Sequence, residues 1–452
     1  MNKRLIACAV TAALTIPMTA MATNGYFAHG YGTKNKGLAG GGVALPQDAM
    51  IAATNPAGMA FVGERMDLGL AIFSPSARSY SATGAPSGAC ANAQQCTFGT
   101  DLGEVESDND FFLIPHFARN WAVGDGFVGL TVYGNGGMNT EYKNGSATFG
   151  FWGGGPAPGT SVTQSGTYGA GTAGVNLEQL FFNTTYSKKF SDKGSWGASL
   201  IAAYQTFEAK GLTNFGPHSN DSTSLTNNGK DTSTGFGFKF GVQSEVTSGV
   251  TLAASYQTEV DMSKFDKYSG LFAEEGDFDI PATLTLGLAW KTSPKSTLTL
   301  DMQQIYYSDI KAISNSVSGL TSPTGCGGGA GDTTKCLGGS DGAGFGWDDM
   351  TIIKLGYQWE GSNDMTWRVG ISQGDQPIPS GEVFFNILAP AVMETHLTGG
   401  FTMKTGADSE FNFAAMYAPE SSVSGPTGFD PAQTVELKMT QLEVEASWGW
   451  KF

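Results

Sequence analysis

The chain has 452 residues, with 41 acidic side chains against 25 basic ones, a net charge of −16, 64 glycines, 29 Phe, 14 Tyr and 9 Trp. The acidic balance excludes nucleic acid as a partner, because that binding needs a basic footprint. A glycine share about twice the usual one, joined to so many aromatic rings, points to β-structure rather than helices.

Residues 1–22 read as a secretory signal, with Lys3 and Arg4 ahead of an apolar run and Ala20-Met21-Ala22 as the small-x-small cleavage site. Leu5-Ile6-Ala7-Cys8 has the letters of a lipoprotein box, but the four residues before it leave no room for an apolar region. Cleavage removes two cations and no acid, which takes the net charge from −16 to −18. Beyond Ala22 there is no run of about 18 apolar residues, so no helix is expected to span a membrane.

The next segment, 23–63, is too broken by glycine for a strand or helix, yet Tyr26, Phe27, Tyr31, Leu38, Val43, Leu45, Met50, Ile51, Met59 and Phe61 all need burial. It requires a container. The remainder, 64–452, supplies one in fourteen runs that alternate apolar and polar residues: 66–74, 110–119, 126–135, 178–190, 195–208, 235–246, 250–260, 282–292, 296–307, 349–360, 364–374, 392–405, 409–418 and 434–452. In the last run Leu442, Val444, Ala446, Trp448, Trp450 and Phe452 share one face while Glu443, Glu445, Ser447 and Lys451 share the other. That is a strand with one lipid-facing side, ended by an aromatic girdle.

Connections alternate in length: turns such as 191–194, 247–249, 292–295 and 360–363 against segments such as 75–109, 136–177, 209–234 and 308–348. Short periplasmic turns and long external loops are the asymmetry of outer-membrane barrels. The expected fold is all-β: a 14-stranded antiparallel transmembrane β-barrel with both termini periplasmic, its lumen plugged by 23–63. A soluble sandwich or propeller would not need the loop asymmetry. The four cysteines after the signal fall in two close pairs, and we read Cys90 with Cys96 and Cys326 with Cys336 as disulfides of the first and fifth external loops. Neither pair has a His or further Cys at ligand spacing, which argues against a metal. A barrel of this size is wider than side chains fill, a plug rules out a general diffusion pore, and the plug's apolar character points to apolar cargo.

The stretch 24–59, NGYFAHGYGTKNKGLAGGGVALPQDAMIAATNPAGM, resembles the N-terminal hatch of the FadL/TodX family of outer-membrane transporters for long-chain fatty acids and other hydrophobic compounds. Asn55, Pro56 and Ala57 match its hatch motif. Tyr256-Gln257-Thr258-Glu259-Val260 leading to Phe278-Asp279-Ile280-Pro281-Ala282, and Arg368-Val369-Gly370 leading to Gln376-Pro377-Ile378-Pro379, extend the likeness over most of the mature chain. The resemblance implies that ligand is caught between external loops, held in the lumen against the hatch, and released sideways through a gap at an inward kink of the third strand. Lateral exit spares the cargo an aqueous exposure worth about 0.8 kcal/mol per CH2. The matching stretch here is Gly134, Asn135, Gly136 and Gly137, which equally suits a strand end entering a loop. In the hatch motif, Asn55 side-chain hydrogen bonds and the fixed φ of Pro56 would hold the plug's shape.

For the external groove the candidates are Leu212 and Phe215 in one loop and Phe265, Tyr268, Leu271 and Phe272 in the next, which would together expose an apolar patch or pack against the rim. A carboxylate ligand needs a cation, and Lys210 is the candidate, whereas Gln205 and Glu208 beside it leave neutral aliphatic or aromatic hydrocarbons open. The four histidines, His29, His116, His218 and His396, show no catalytic order, so no enzyme is expected. A polar-solute porin using Glu443 and Glu445, or an adhesive barrel, are the other readings. No cofactor is implied. The expected partners are a hydrophobic small molecule and outer-membrane lipid, with passive transport by a monomer.

Overall fold

The computed structural model describes residues 23–88, 96–151, 160–322, 324–326, 331–362 and 364–452; the signal expectation and the Cys90–Cys96 pairing fall outside them, the latter at Cys90. Fourteen long strands form the wall: β1 (Arg65–Ser74), β2 (Phe112–Val123), β3 (Gly126–Asn139), β4 (Gly174–Ser191), β5 (Gly194–Lys210), β6 (Asp231–Thr247), β7 (Val250–Gln257), β8 (Thr283–Ser293), β9 (Ser296–Ile305), β10 (Met350–Glu360), β11 (Met365–Gly374), β12 (Thr395–Lys404), β13 (Ser409–Pro426) and β14 (Thr434–Lys451). Each pairs antiparallel with its neighbours in sequence, and β14 returns to β1, from Arg65↔Lys451 to Ser74↔Leu442, closing the ring. A sheet facing hydrocarbon has to close, since an open edge would leave amides and carbonyls unbonded.

The period of two decides which face meets lipid. On β8 Leu286 and Trp290 are exposed, as are Ile353, Leu355 and Tyr357 on β10 and Leu442 and Trp448 on β14, while Glu443, Glu445 and Ser447 are buried within the ring. Adjacent strands are joined by tight turns at one end and by segments of up to several tens of residues at the other. The loop strands are short: Ser79–Thr83 pairs with the N-terminal end of β14 and with Gly103–Glu106, and Phe98–Thr100, Ser146–Phe151 and Thr160–Ser165 make a three-stranded sheet. Cys326 and Cys336 are bonded, with Cα atoms 4.8 Å apart.

Two strands outrun the periodicity. β13 continues past a register shift between Ala418 and Ser421 to Pro426, because β14 stays paired with it there, and β3 continues to Asn139. Neither extension carries an exposed large apolar side chain, so the apolar alternation that marks a strand is absent.

Candidate functional site

Residues from Thr23 to Gly63 lie within the ring and are held by inward side chains from around it. Lys36, on a single helical turn (Thr33–Lys36), reaches Glu443 at 2.6 Å and Glu445 at 2.7 Å on β14. The Thr33 hydroxyl donates to Glu445 at 2.7 Å. Burial opposes the Lys36 ammonium, but the two carboxylates outweigh it and raise its pKa well above the ordinary amine range. A second cluster joins Lys34 and Arg65 to Glu410 at 2.5 and 2.7 Å, with Arg65 also on Asp67. Across the lumen the Gly42 and Val43 amides donate to one Asp301 oxygen at 2.6 and 2.8 Å. Glu443 and Glu445 are therefore paired with a lysine of the 23–63 segment rather than free in the lumen.

The Asn55-Pro56-Ala57 triplet sits at the start of a 3-10 helix, Pro56–Phe61. Asn55 is wholly buried; its Oδ1 accepts the Ala57 amide at 3.0 Å and its Nδ2 donates to the Val43 carbonyl at 2.9 Å, so one side chain caps a helix and ties two plug segments together. Pro56 occupies the first helical position, where its missing N–H costs nothing. Ser187 of β4 and Ser195 of β5 donate to the Ala57 carbonyl at 3.1 and 2.7 Å. Facing the motif, Gly241 of β6 has no room for a side chain, since a Cβ there would stand 2.0 Å from Asn55 Oδ1.

The wall is interrupted at β3. Its ladder with β2 runs from Val123↔Gly126 to His116↔Tyr133 and ends, although β2 begins at Phe112 and β3 goes on to Asn139. Pro115 stands where the next pair would form and has no amide to donate. On its other side β3 keeps to β4 apart from a register shift between Gly134 and Gly136. In place of β2, the freed side of β3 bonds to the plug: Ala28 N–H donates to the Asn135 carbonyl at 3.0 Å, Gly137 N–H to the Tyr26 carbonyl at 2.8 Å, and Phe27 bridges Gly136. Asn135 also accepts from the Tyr31 hydroxyl at 2.7 Å and donates to Gln179 at 3.0 Å. A Cβ on Gly136 would lie 1.9 Å from the Tyr26 carbonyl oxygen, so glycine is what lets the two backbones meet.

Leu212, Phe215, Phe265, Tyr268 and Phe272 are buried and Leu271 is half-buried, so the expected exposed patch is absent. Leu212, Phe215, Leu271 and Phe272 instead line a narrow apolar cavity of about 30 Å³ among four loops, shared with Phe207 and Phe385. Phe265 and Tyr268 pack on Phe207 at 5.6 and 4.8 Å between ring centres. From that cavity aromatic rings continue inward: Phe207 to Phe272 at 4.6 Å, Phe272 to Phe278 at 4.7 Å, Phe278 to Tyr26 at 6.2 Å and Tyr26 to Phe27 at 5.1 Å. Tyr307 and Trp347 flank Tyr26 at 5.4 and 6.1 Å. This row of packed rings ends at the residue that bridges β3. Phe207, Tyr307 and Trp347 escaped the sequence reading; for Phe207 the signal was an aromatic ring on the inward face of β5, whose other inward residues include Ser199 and Gln205.

Lys210 lies at the rim, half-buried, 3.7 Å from Glu141 and 3.8 Å from Glu208, so two acids already stand beside the candidate cation for a carboxylate. Gln205 is buried and donates to the Phe278 carbonyl at 2.9 Å. Ser372 and His396 face each other across β11 and β12 at 3.1 Å, but no carboxylate orients the ring, whose Nε2 has no partner among the described residues. Asp279, in the loop after β7, accepts the Met262 amide at 2.7 Å. Burial first, then repulsion by Asp277, Glu259 and Asp261, lifts its carboxyl to about 7 against the opposing Met262 bond. The native loop thus holds a proton that the unfolded chain releases near pH 4, and the stability this contributes fades as pH rises towards 7. Proteolysis within 258–282 of the purified protein is expected to be faster at about pH 8 than at about pH 5, and Asp279→Asn to abolish that difference; equal rates in the wild type would refute the linkage.

A sequence profile described as outer membrane protein transport protein (OMPP1/FadL/TodX) matches residues 14–441. Among solved structures, the toluene transporter TodX of P. putida superposes with a TM-score of 0.60 at 17% identity, covering 94% of this chain and 99% of that one. A Pseudomonas aeruginosa FadL homologue gives 0.64 at 14% identity over 95% and 100%. The Ralstonia pickettii toluene transporter TbuX gives 0.57 at 14% over 94% and 99%. At those identities they share the fold. No match was found among curated proteins.

Proposed function

The chain belongs to the OMPP1/FadL/TodX family of outer membrane transport proteins, and from that premise we propose that it imports long-chain fatty acids or related hydrophobic molecules passively, releasing them sideways into the membrane. The observation that carries this reading is the end of the β2–β3 ladder at His116↔Tyr133, with the plug backbone covering the freed edge of β3 and an aromatic path leading to that cover. Loops at the external ends would admit the cargo into the apolar cavity, Tyr26 and Phe27 would hold it against the plug, and displacement of the plug from Gly136 would open the wall. Each step keeps the cargo against apolar surface, which an aqueous exit would forfeit. The termini would then lie on the periplasmic side. The apolar cavity, free of charge, also suits a neutral hydrocarbon.

The test is uptake of labelled oleate by Gram-negative cells lacking their own fatty-acid importer, with the wild type and an Asn55→Ala, Pro56→Ala variant at equal surface levels. Loss of the Asn55 bonds should loosen the plug by about 2 kcal/mol or more, and we expect uptake by the wild type that changes at least severalfold in the variant. A correctly folded wild type that takes up neither oleate nor a neutral alkane would overturn the assignment.

A further inference from the structure

The break between β2 and β3 is bounded at both ends. Their ladder stops at His116↔Tyr133, and among the described residues the next backbone bond between the two sides is from the Asp108 N–H to the Glu141 carbonyl at 2.8 Å. Position 108 lies eight residues before 116 and position 141 eight residues after 133, so the two segments meet again in the register in which they parted. Between those pairs, 109–115 faces 134–140 across a window about 26 Å long at the rise of a strand. Each flank keeps its other neighbour: β2 stays on β1 from Phe73↔Phe112, and β3 stays on β4 to Asn139↔Asn176, beyond which the Thr140 and Tyr142 amides bond to the Val175 and Ala173 carbonyls.

Among the described residues the plug bonds to β3 only from Asn135 to Gly137. The far end of the window is shut by side chains instead. Asn109 Nδ2 donates to Asn139 Oδ1, and Asn139 Nδ2 to Asn176 Oδ1, so three asparagines tie the loop ahead of β2 across β3 to β4. The Ser107 hydroxyl accepts the Glu141 amide at 3.0 Å. Arg78 fixes the same loop from behind, donating to the Ser107 hydroxyl at 3.2 Å and to the Asn109 carbonyl, while its own carbonyl accepts the Ser107 amide at 2.9 Å. Arg78 and Asn139 are each 4% exposed. Hydrogen bonds from a buried guanidinium are the stronger kind, and water does not compete for them there.

We infer that the Asn109–Asn139–Asn176 ladder, clamped by Arg78, is a fixed outer stop of the lateral window and sets the largest cross-section of cargo that leaves through it. This rests on the importer reading above and assigns its size limit. The two closures differ in kind. The plug meets β3 through a backbone that can withdraw, and so decides whether the window is open. The stop joins flanks that the β1–β2 and β3–β4 ladders hold in place, and so decides how far they part. A slim, unbranched chain passes below the stop, whereas a branched molecule of similar length needs the flanks further apart.

The test compares uptake of labelled oleate and labelled phytanate, a branched acid with the same head group, by importer-deficient cells carrying the wild type, Asn109→Ala with Asn139→Ala, or Gly136→Val at equal surface levels. Dodecane and pristane replace the acids if the wild type moves only neutral cargo. The branched-to-linear ratio is expected to rise about fivefold or more in the Ala pair, the worth of one neutral hydrogen bond. In Gly136→Val both rates are expected to rise together with the ratio unmoved. If the Ala pair fails to assemble, Asn139→Ser alone is expected to raise the ratio in the same direction. An unchanged ratio in the Ala pair would mean that the ladder only anchors a loop, and would overturn the inference. So would an equal rise of the ratio in Gly136→Val, since the plug would then set the size limit. Either result leaves the importer reading standing; a wild type that moves neither acids nor alkanes defeats the importer reading itself.

Discussion

Lys36→Met is expected to unseat the plug while leaving the barrel closed. The substitution keeps most of the side-chain volume but takes the ammonium from Glu443 and leaves Glu445 with only Thr33 and His116, both carboxylates being 2% exposed and within 2.7 Å of the lost charge. Removing one partner of a buried ion cluster costs about 3–5 kcal/mol, because the remaining charge is left in a medium that cannot solvate it. The barrel does not depend on this contact, since its own ladders close from β14 to β1. Purified protein should therefore keep its heat-modifiable migration on gels, while the segment 23–63 becomes open to added protease and single channels show a steady current absent from the wild type. Adding Glu443→Gln and Glu445→Gln to Lys36→Met should recover much of the protection, because it removes the uncompensated buried charges that make the loss of one partner costly. A Lys36→Met protein as protease-resistant as the wild type would show that the ion cluster does not seat the plug.

Gly136→Val is the complementary experiment, since it acts where plug and wall meet. Even the first atom of a side chain would fall 1.9 Å from the Tyr26 carbonyl and 2.9 Å from the Phe27 Cα, and both contacts involve backbone, which cannot rotate aside. The plug's tip must then leave β3, breaking the Gly137 to Tyr26 bond. We expect chymotrypsin to cut near Tyr26 and Phe27 in the variant only, and oleate uptake to rise severalfold if plug contact is the closed state of the lateral path. Two lost backbone hydrogen bonds amount to about 1–3 kcal/mol, enough for a large shift in a gate and too little to unfold a barrel of fourteen strands. Unaltered proteolysis and unaltered uptake together would show that this contact is not a gate.

The wall was legible in the sequence because its signal is local. A strand between lipid and lumen has to alternate, so Leu284, Leu286, Leu288 and Trp290 announce β8 without reference to any other part of the chain. Loop lengths told which ends face the same side, and the glycine-rich, aromatic segment 23–63 announced that it must be enclosed. Where a strand leaves the lipid this logic stops, which is why β13 runs to Pro426 beyond its apparent end at 418.

The site was legible only in part. Asn55, Pro56 and Ala57 were found through a resemblance, and their roles as cap and tie follow from contacts with Val43, Ser187 and Ser195 that are distant in sequence. Gly134 to Gly137 were marked as a bend or a strand end; that β3 trades β2 for the plug there depends on Pro115 and on the Tyr26 backbone lying beside Gly136. Lys210 stands at the end of β5, where Glu208 two residues before it shares its face, but the approach of Glu141 from another part of the chain follows from no spacing. Periodicity states which way a side chain points, and so it settled a closed barrel with a filled lumen; it carries no information about what waits opposite each inward residue, which depends on how a ring of fourteen strands and one plug brings remote positions within a few ångströms.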